Sequence, residues 1–138
     1  MTQNVQTVPA LLLVEPGSLL RGTVASAARH LRLANVQEAT SVRAAERLLE
    51  LHRFEMLMLA LDGDGLALQL LSDLRVARFA SHGDIPVAVM TDACDGDLID
   101  RLKSMRVRKI VLKPSKARTL LDAIADLGSA MNELPRVS

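Results

Sequence analysis

The chain has 138 residues, of which 49% are hydrophobic and 24% charged, a composition typical of one globular domain. Seven Gly and five Pro are too few for a linker-rich chain, so disorder is expected only at the ends. Two Phe are the only aromatic residues, which predicts an aliphatic core. Their scarcity argues against proteins that stack nucleobases on aromatic side chains.

Compartment and membrane contact are constrained by simple features of the sequence. The single cysteine, Cys94, cannot form an internal disulfide. A signal peptide begins with a positively charged region, whereas no basic residue precedes Arg21 here. The longest apolar runs, 10–14 and 56–61, are far shorter than a membrane span of about 20 residues. We therefore expect a cytoplasmic protein without a membrane partner.

The net charge of +1 conceals a basic segment. Residues 101–118 contain eight Lys or Arg and no acidic residue. Such a segment can attract phosphate groups or an acidic protein surface, although surface charge most often serves only to keep a face solvated.

The chain begins with the pattern of a strand, a turn and a helix. Residues 10–14 are continuously apolar, and Glu15-Pro16-Gly17 interrupts the run before Ser18, a suitable helix N-cap. Apolar residues then recur at helical spacing from Leu20 to Leu31.

Two further units follow the first. Residues 35–39 are a weaker strand candidate, and Thr40-Ser41 precede a helix with apolar positions from Val42 to Leu49. Residues 56–61 are apolar on both faces, which is typical of a strand covered by helices in a parallel sheet. After a turn at 62–65, a third helix contains Leu66, Leu70, Leu71 and Leu74.

The last two units complete an α/β pattern. Residues 86–90 and 109–112 are strand candidates, each followed by an amphipathic helix; the apolar positions of these helices are Leu98, Leu102 and Met105, then Leu120, Leu121, Ile124, Leu127 and Met131. Five such units predict a parallel sheet with helices on both faces, in a domain over 10–132 with tails at 1–9 and 133–138. Sites in such sheets lie beyond the carboxyl ends of the strands.

Three short motifs stand at these loop positions. Asp64-Gly65 opens the third helix, Ile85-Pro86-Val87-Ala88-Val89-Met90-Thr91 ends in a hydroxyl residue, and Ile110-Val111-Leu112-Lys113-Pro114 ends in Lys-Pro. With this order of elements, residues 10–128 resemble the receiver domain of two-component response regulators, typified by the chemotaxis response regulator. The resemblance implies a flavodoxin-like, doubly wound sheet of five parallel strands.

The resemblance also identifies what this chain lacks. Receivers accept a phosphoryl group on an Asp that ends the third strand, with Mg²⁺ held by that Asp and by an acidic pair after the first strand. Here the acidic pair falls on Glu15 and Pro16, and the phosphoacceptor position falls on Ala60, whose methyl group can neither accept phosphate nor bind a metal. Thr91 and Lys113 occupy the hydroxyl and lysine positions.

Two consequences follow for the site. The spacing suggests that Lys113 pairs with Glu15 in place of the missing Asp. The aromatic switch residue of the family falls on Ile110, which has no ring to swing inward. The sequence therefore predicts a degenerate phosphorylation site with no catalytic residue, no metal and no cofactor.

The first functional hypothesis is a pseudo-receiver, not an enzyme, that acts in signal transduction by binding other proteins such as a histidine kinase or an output protein. The resemblance places its contact surface, also a possible homodimer interface, on the fourth helix, fifth strand and fifth helix. The basic residues expected on that surface are Arg101, Lys103, Arg106, Arg108, Lys109, Lys116 and Arg118.

Two alternatives remain open at this level. Asp62 or Asp64 could take the phosphoacceptor role with Mg²⁺, although Asp-Gly pairs are common turn residues. The basic segment 101–118 could instead bind an anionic ligand or nucleic acid, although no DNA-binding motif is present and aromatic residues are scarce.

Overall fold

The computed structural model describes residues 8–61, 65–92 and 95–131. Strands and helices alternate along them as β1 (Ala10–Val14), α1 (Ser18–His30), β2 (Asn35–Ala39), α2 (Val42–Leu51), β3 (Met56–Ala60), α3 (Leu66–Arg75), β4 (Val87–Thr91), α4 (Gly96–Ser104), β5 (Lys109–Leu112) and α5 (Ala117–Met131). None of the helices in these ranges is long and apolar enough to cross a membrane.

The five strands form one parallel sheet in the order β2-β1-β3-β4-β5. Because parallel neighbours need crossover connections, each strand is followed by a helix that returns the chain to the same edge. The predicted flavodoxin-like, doubly wound α/β fold is confirmed. The order places β3 and β4 between β1 and β5. Side chains that follow β1 and β5 can therefore meet only across the ends of β3 and β4.

Aliphatic side chains fill both faces of the sheet. On β1, Leu11 and Leu13 belong to the cluster that packs with α1 and α5, whereas Leu12 and Val14 belong to the cluster that packs with α2 and α3. Every residue of β3 and β4 is buried. Fully buried methionines, Met56, Met58 and Met90, occupy volume that aromatic side chains often fill. The expected aliphatic core is present.

Some details at the element ends differ from the sequence prediction. Ser18 is the first residue of α1 and not its N-cap, which is Gly17. α1 has no side-chain capping hydrogen bond, and the Gly17 N–H donates to Glu15 Oε2 at 2.7 Å. Ser41 is the N-cap of α2 as predicted, and its Oγ accepts the Ala44 N–H. Leu66 is exposed because it begins α3 ahead of the buried turn.

Three helices end on a residue with left-handed backbone that is not glycine. Arg32, Ala77 and Arg106 have φ values of 57°, 61° and 61° and follow α1, α3 and α4. After each of them, a backbone N–H reaches back to the last turn of the helix, as from Arg78 to the Asp73 carbonyl at 3.1 Å. This is the helix ending in which glycine is usual, because a Cβ is disfavoured in that conformation.

Ala77→Gly is therefore expected to stabilise the protein. The side chain of Ala77 is exposed, so the change removes backbone strain without creating a cavity, and we expect a net gain of about 0.5–1 kcal/mol in the free energy of unfolding after the added entropy of the unfolded chain. Urea denaturation followed by circular dichroism measures it. The matched control is Ala125→Gly at an exposed position inside α5, which should cost about 1 kcal/mol. Equal losses in both variants would contradict the assignment of strain to Ala77.

Candidate functional site

The carboxyl edge of the sheet brings together the residues predicted from four separate loops. Val14 lies opposite Leu59 in the sheet register, so Glu15 continues β1 beside the end of β3 at Ala60. Thr91 ends β4, and its carbonyl accepts the Lys113 N–H at 2.8 Å. Pro16 follows Glu15 and is exposed. The predicted degenerate site is thus assembled at one edge.

The central contact is an ion pair between Lys113 Nζ and Glu15 Oε1 at 2.6 Å. The Glu15 side chain is only 5% exposed and that of Lys113 27%. Among the described residues the Lys113 ammonium is the one polar partner of Oε1, so it compensates the charge of this buried oxygen. The pairing of Lys113 with Glu15 expected from the sequence is confirmed.

Sheet order shows what this contact must cross. Three strand spacings separate β1 from β5, or about 14 Å at about 4.8 Å each. The two side chains meet only by extending toward each other over the ends of β3 and β4. A methyl group at Ala60 places no polar atom in this path.

The backbone around Glu15 is held by neighbouring elements. Its N–H donates to the Ala39 carbonyl at 3.0 Å, and its carbonyl accepts from Arg21 Nη1 at 2.9 Å. Arg21 in turn pairs through Nε with Glu38 Oε1 at 3.2 Å. Arg21 was not among the predicted site residues. Its position in the second turn of α1, close after Glu15 in the sequence, is a signal that could have indicated it.

The described donors do not fit a magnesium site of the family type. Mg²⁺ requires several oxygen ligands in octahedral geometry. Glu15 is the one predicted carboxylate ligand among the described residues, and its oxygens contact the Lys113 ammonium and the Gly17 N–H. Over 8–61, 65–92 and 95–131 no cluster of three His, Cys, Asp or Glu residues could hold a metal ion. Asp62 and Asp64, the alternative phosphoacceptors, lie outside the described residues.

The switch position lies on the edge strand. Ile110 is half-buried against the apolar cluster on the α2 and α3 side of the sheet. Leu112, two residues further on, is 56% exposed. β5 therefore presents an exposed apolar side chain, Leu112, on the same face as Ile110.

The basic residues predicted as an interaction surface are all exposed; they are Arg101, Lys103, Arg106, Arg108, Lys109, Lys116 and Arg118. Those before and after β5 stand at opposite edges of the sheet, separated by the strand length of about 13 Å. Arg106 and Arg108, at the amino edge, lie near acids: Arg106 is 3.4 Å from Asp84 and Arg108 3.1 Å from Asp126.

Lys113→Met should destabilise the protein because it leaves the Glu15 carboxylate buried without its cation. We expect a loss of about 2 kcal/mol in the free energy of unfolding, less than for a fully buried pair because Lys113 is partly exposed. Adding Glu15→Gln should recover part of that loss. The control is Arg78→Met, which breaks an exposed ion pair with Asp73 and should cost less than about 0.5 kcal/mol. Equal losses for Lys113→Met and Arg78→Met in urea denaturation would contradict a buried pair.

Comparisons with known proteins identify the fold. No protein-family model matches the chain, and no curated protein matches it. Solved structures do. A response regulator from Thermotoga maritima is 22% identical with a TM-score of 0.75, over 89% of this chain and 99% of that one.

Two other solved structures give the same result. The non-phosphorylated HemR receiver domain from Leptospira biflexa is 21% identical with a TM-score of 0.75, over 94% of this chain and 98% of that one. The Vibrio cholerae chemotaxis protein CheY4 is 16% identical with a TM-score of 0.75, over 88% and 99%. Together with the sheet order and the loop positions described above, these likenesses show that the chain has the fold of the response-regulator receiver domains.

Proposed function

We propose that this chain is a pseudo-receiver, a signalling domain that works by binding other proteins and takes no phosphoryl group at the position of Ala60. The observation that carries the proposal is the ion pair between Glu15 and Lys113. The lysine that would bind a phosphoryl oxygen in a receiver is here engaged by a carboxylate of the same chain. The domain would be a binding module and not an enzyme.

Charge balance at the site supports this proposal. Phosphoryl transfer needs cationic groups that are available to the developing charge on the phosphoryl oxygens. The ammonium of Lys113 is already neutralised at 2.6 Å by a buried carboxylate, and Ala60 supplies no nucleophile. Adding a phosphate there would require separating the pair and leaving Glu15 beside a second anion. The charges of the described site therefore disfavour a phosphoryl group beside Lys113 and Glu15.

The contact surface proposed for the partner is the exposed side of α4, β5 and α5, which we call the α4–β5–α5 surface. Within the described residues β5 pairs only with β4, so its outer edge is open. Leu112 is exposed on it, with Lys116 and Arg118 nearby along the chain. An apolar residue beside basic side chains suits a partner with an apolar contact residue and acidic neighbours. A histidine kinase, an output protein or a second copy of this chain are the proposed classes of partner.

The first test is direct phosphorylation. Incubation of the full chain with acetyl phosphate and Mg²⁺, followed by intact mass measurement, is expected to show no added phosphoryl group. A phosphoryl group that is acquired by the native chain and lost in Asp62→Ala or Asp64→Ala would overturn the proposal in favour of the alternative acceptors. The two variants distinguish which of the two carboxylates is used.

The second test concerns the α4–β5–α5 surface. Leu112→Ser removes its exposed apolar side chain, whereas Leu51→Ser makes the same change at the 74% exposed end of α2. Proteins crosslinked to the native chain in lysate of the source organism should be depleted at least five-fold with Leu112→Ser and retained with Leu51→Ser. Equal capture by both variants would count against this surface. Sedimentation of the same three proteins reports whether a second copy is the partner.

A further inference from the structure

A pocket lies at the amino edge of the sheet, opposite the edge that holds Glu15 and Lys113. Its volume is about 290 Å³, and three arginines from three chain segments line it: Arg75 ends α3, Arg106 follows α4 and Arg108 precedes β5. Asp84 and the apolar side chains of Ile85, Pro86 and Ala130 complete the wall.

Arg75 is held rigidly at this pocket by backbone carbonyls. Its Nε donates to Met105 O at 2.7 Å, its Nη1 to Gly83 O and Ile85 O at 2.7 Å each, and its Nη2 to Arg106 O at 3.1 Å. All of these partners are neutral. The contacts fix the guanidinium and both flanking loops, and over 8–61, 65–92 and 95–131 no carboxylate lies within hydrogen-bond distance of it.

The surrounding charges do not balance. Among the described residues that line the pocket, Arg75 and Arg106 face one carboxylate, that of Asp84, which is exposed and lies 3.4 Å from Arg106. Arg108 is paired with Asp126 at 3.1 Å. Burial, followed by the neighbouring charge of Arg106, lowers the pKa of Arg75 to about 10, against the opposing effect of Asp84. Arg75 is therefore still charged at neutral pH. Within the described lining, the guanidiniums of Arg75 and Arg106 thus carry one positive charge more than the carboxylate of Asp84 compensates.

We propose that this pocket binds a small oxyanion of the phosphate class, held chiefly by Arg106 and Arg75. Guanidinium groups donate charge-assisted hydrogen bonds to such anions. Four of the five N–H groups of Arg75 are bound to carbonyls, so Arg106 supplies a paired contact and Arg75 supplies one N–H and its charge. The contact of Arg106 with Asp84 is long and exposed, and an ion pair of that kind contributes little, so an anion can compete for Arg106. The volume suits a phosphate with a small substituent, being at the lower end of the range for ligand cavities.

This pocket lies at the edge of the sheet opposite Ala60, so anion binding here does not depend on phosphorylation at the carboxyl edge. One of its arginines, Arg75, lies outside the basic segment 101–118. The apolar wall contains no aromatic ring, so the structure offers recognition of a phosphate group and not of a nucleobase.

The chain provides a matched pair of variants for a test. Arg106 has a φ of 61°, so Arg106→Gly removes the guanidinium and leaves a residue that suits this backbone. Arg32→Gly makes the same change in charge at the end of α1, where φ is 57°. Asp84→Asn removes the carboxylate that competes for Arg106. Arg75 itself is left unchanged because its hydrogen bonds hold two loops.

The measurement is an NMR titration of the ¹⁵N-labelled full chain with inorganic phosphate at constant ionic strength set by chloride. We expect saturable shifts at the backbone amides of residues 75, 84, 106 and 108. Arg106→Gly should weaken binding at least ten-fold, Arg32→Gly should change it less than two-fold, and Asp84→Asn should tighten it.

Absence of saturable shifts, or equal weakening in the two glycine variants, would overturn the proposal because general charge screening would then explain the effect. A second titration with phenyl phosphate distinguishes the source of the phosphate. Tighter binding than that of inorganic phosphate supports a phosphate monoester as ligand, and equal or weaker binding supports free phosphate. The phosphodonor result at the carboxyl edge is measured separately, so failure of either proposal is recognisable alone.

Discussion

Burial of β3 and β4 on both faces is the constraint on which the rest of this molecule depends. Every residue of these strands is buried, nearly all of them aliphatic, so neither face of the central sheet carries a charged side chain. The two charged sites described above lie beyond the ends of these strands. The carboxyl edge holds Glu15 and Lys113, and the amino edge holds Arg75 with its neighbours.

The pair of Glu15 and Lys113 is the buried ionic contact at the carboxyl edge of this receiver fold. A buried carboxylate needs a cation, because the desolvation of an isolated charge costs several kcal/mol. With Ala60 at the end of β3, Glu15 is the carboxylate that Lys113 reaches. The contact ties β1 to the loop after β5 across the whole sheet centre. In our proposal it replaces a changeable site with a fixed one, so signalling depends on which proteins contact the surface.

The edge strand β5 lies between the two proposed binding sites, the α4–β5–α5 surface and the arginine-lined pocket. Its carboxyl end carries the exposed Leu112 of the α4–β5–α5 surface, and Arg106 and Arg108 precede its amino end. The basic segment that looks continuous in the sequence is therefore divided by a strand length of about 13 Å. Arg75, fixed by four carbonyl contacts, adds a third guanidinium to the pocket at the amino edge.

The sequence by itself determined the alternation of strands and helices, the aliphatic core and the presence of Ala60 at the end of the third strand. Apolar periodicity and residue identity are local properties of the sequence. The resemblance to receiver domains indicated how the predicted strands and helices are arranged. It also suggested that Glu15 and Lys113 pair, yet the 2.6 Å contact and its burial depend on the strand order. The convergence of Arg75 with Arg106 was decided only by tertiary structure. Such contacts join segments whose approach is set by helix packing, which no local pattern records.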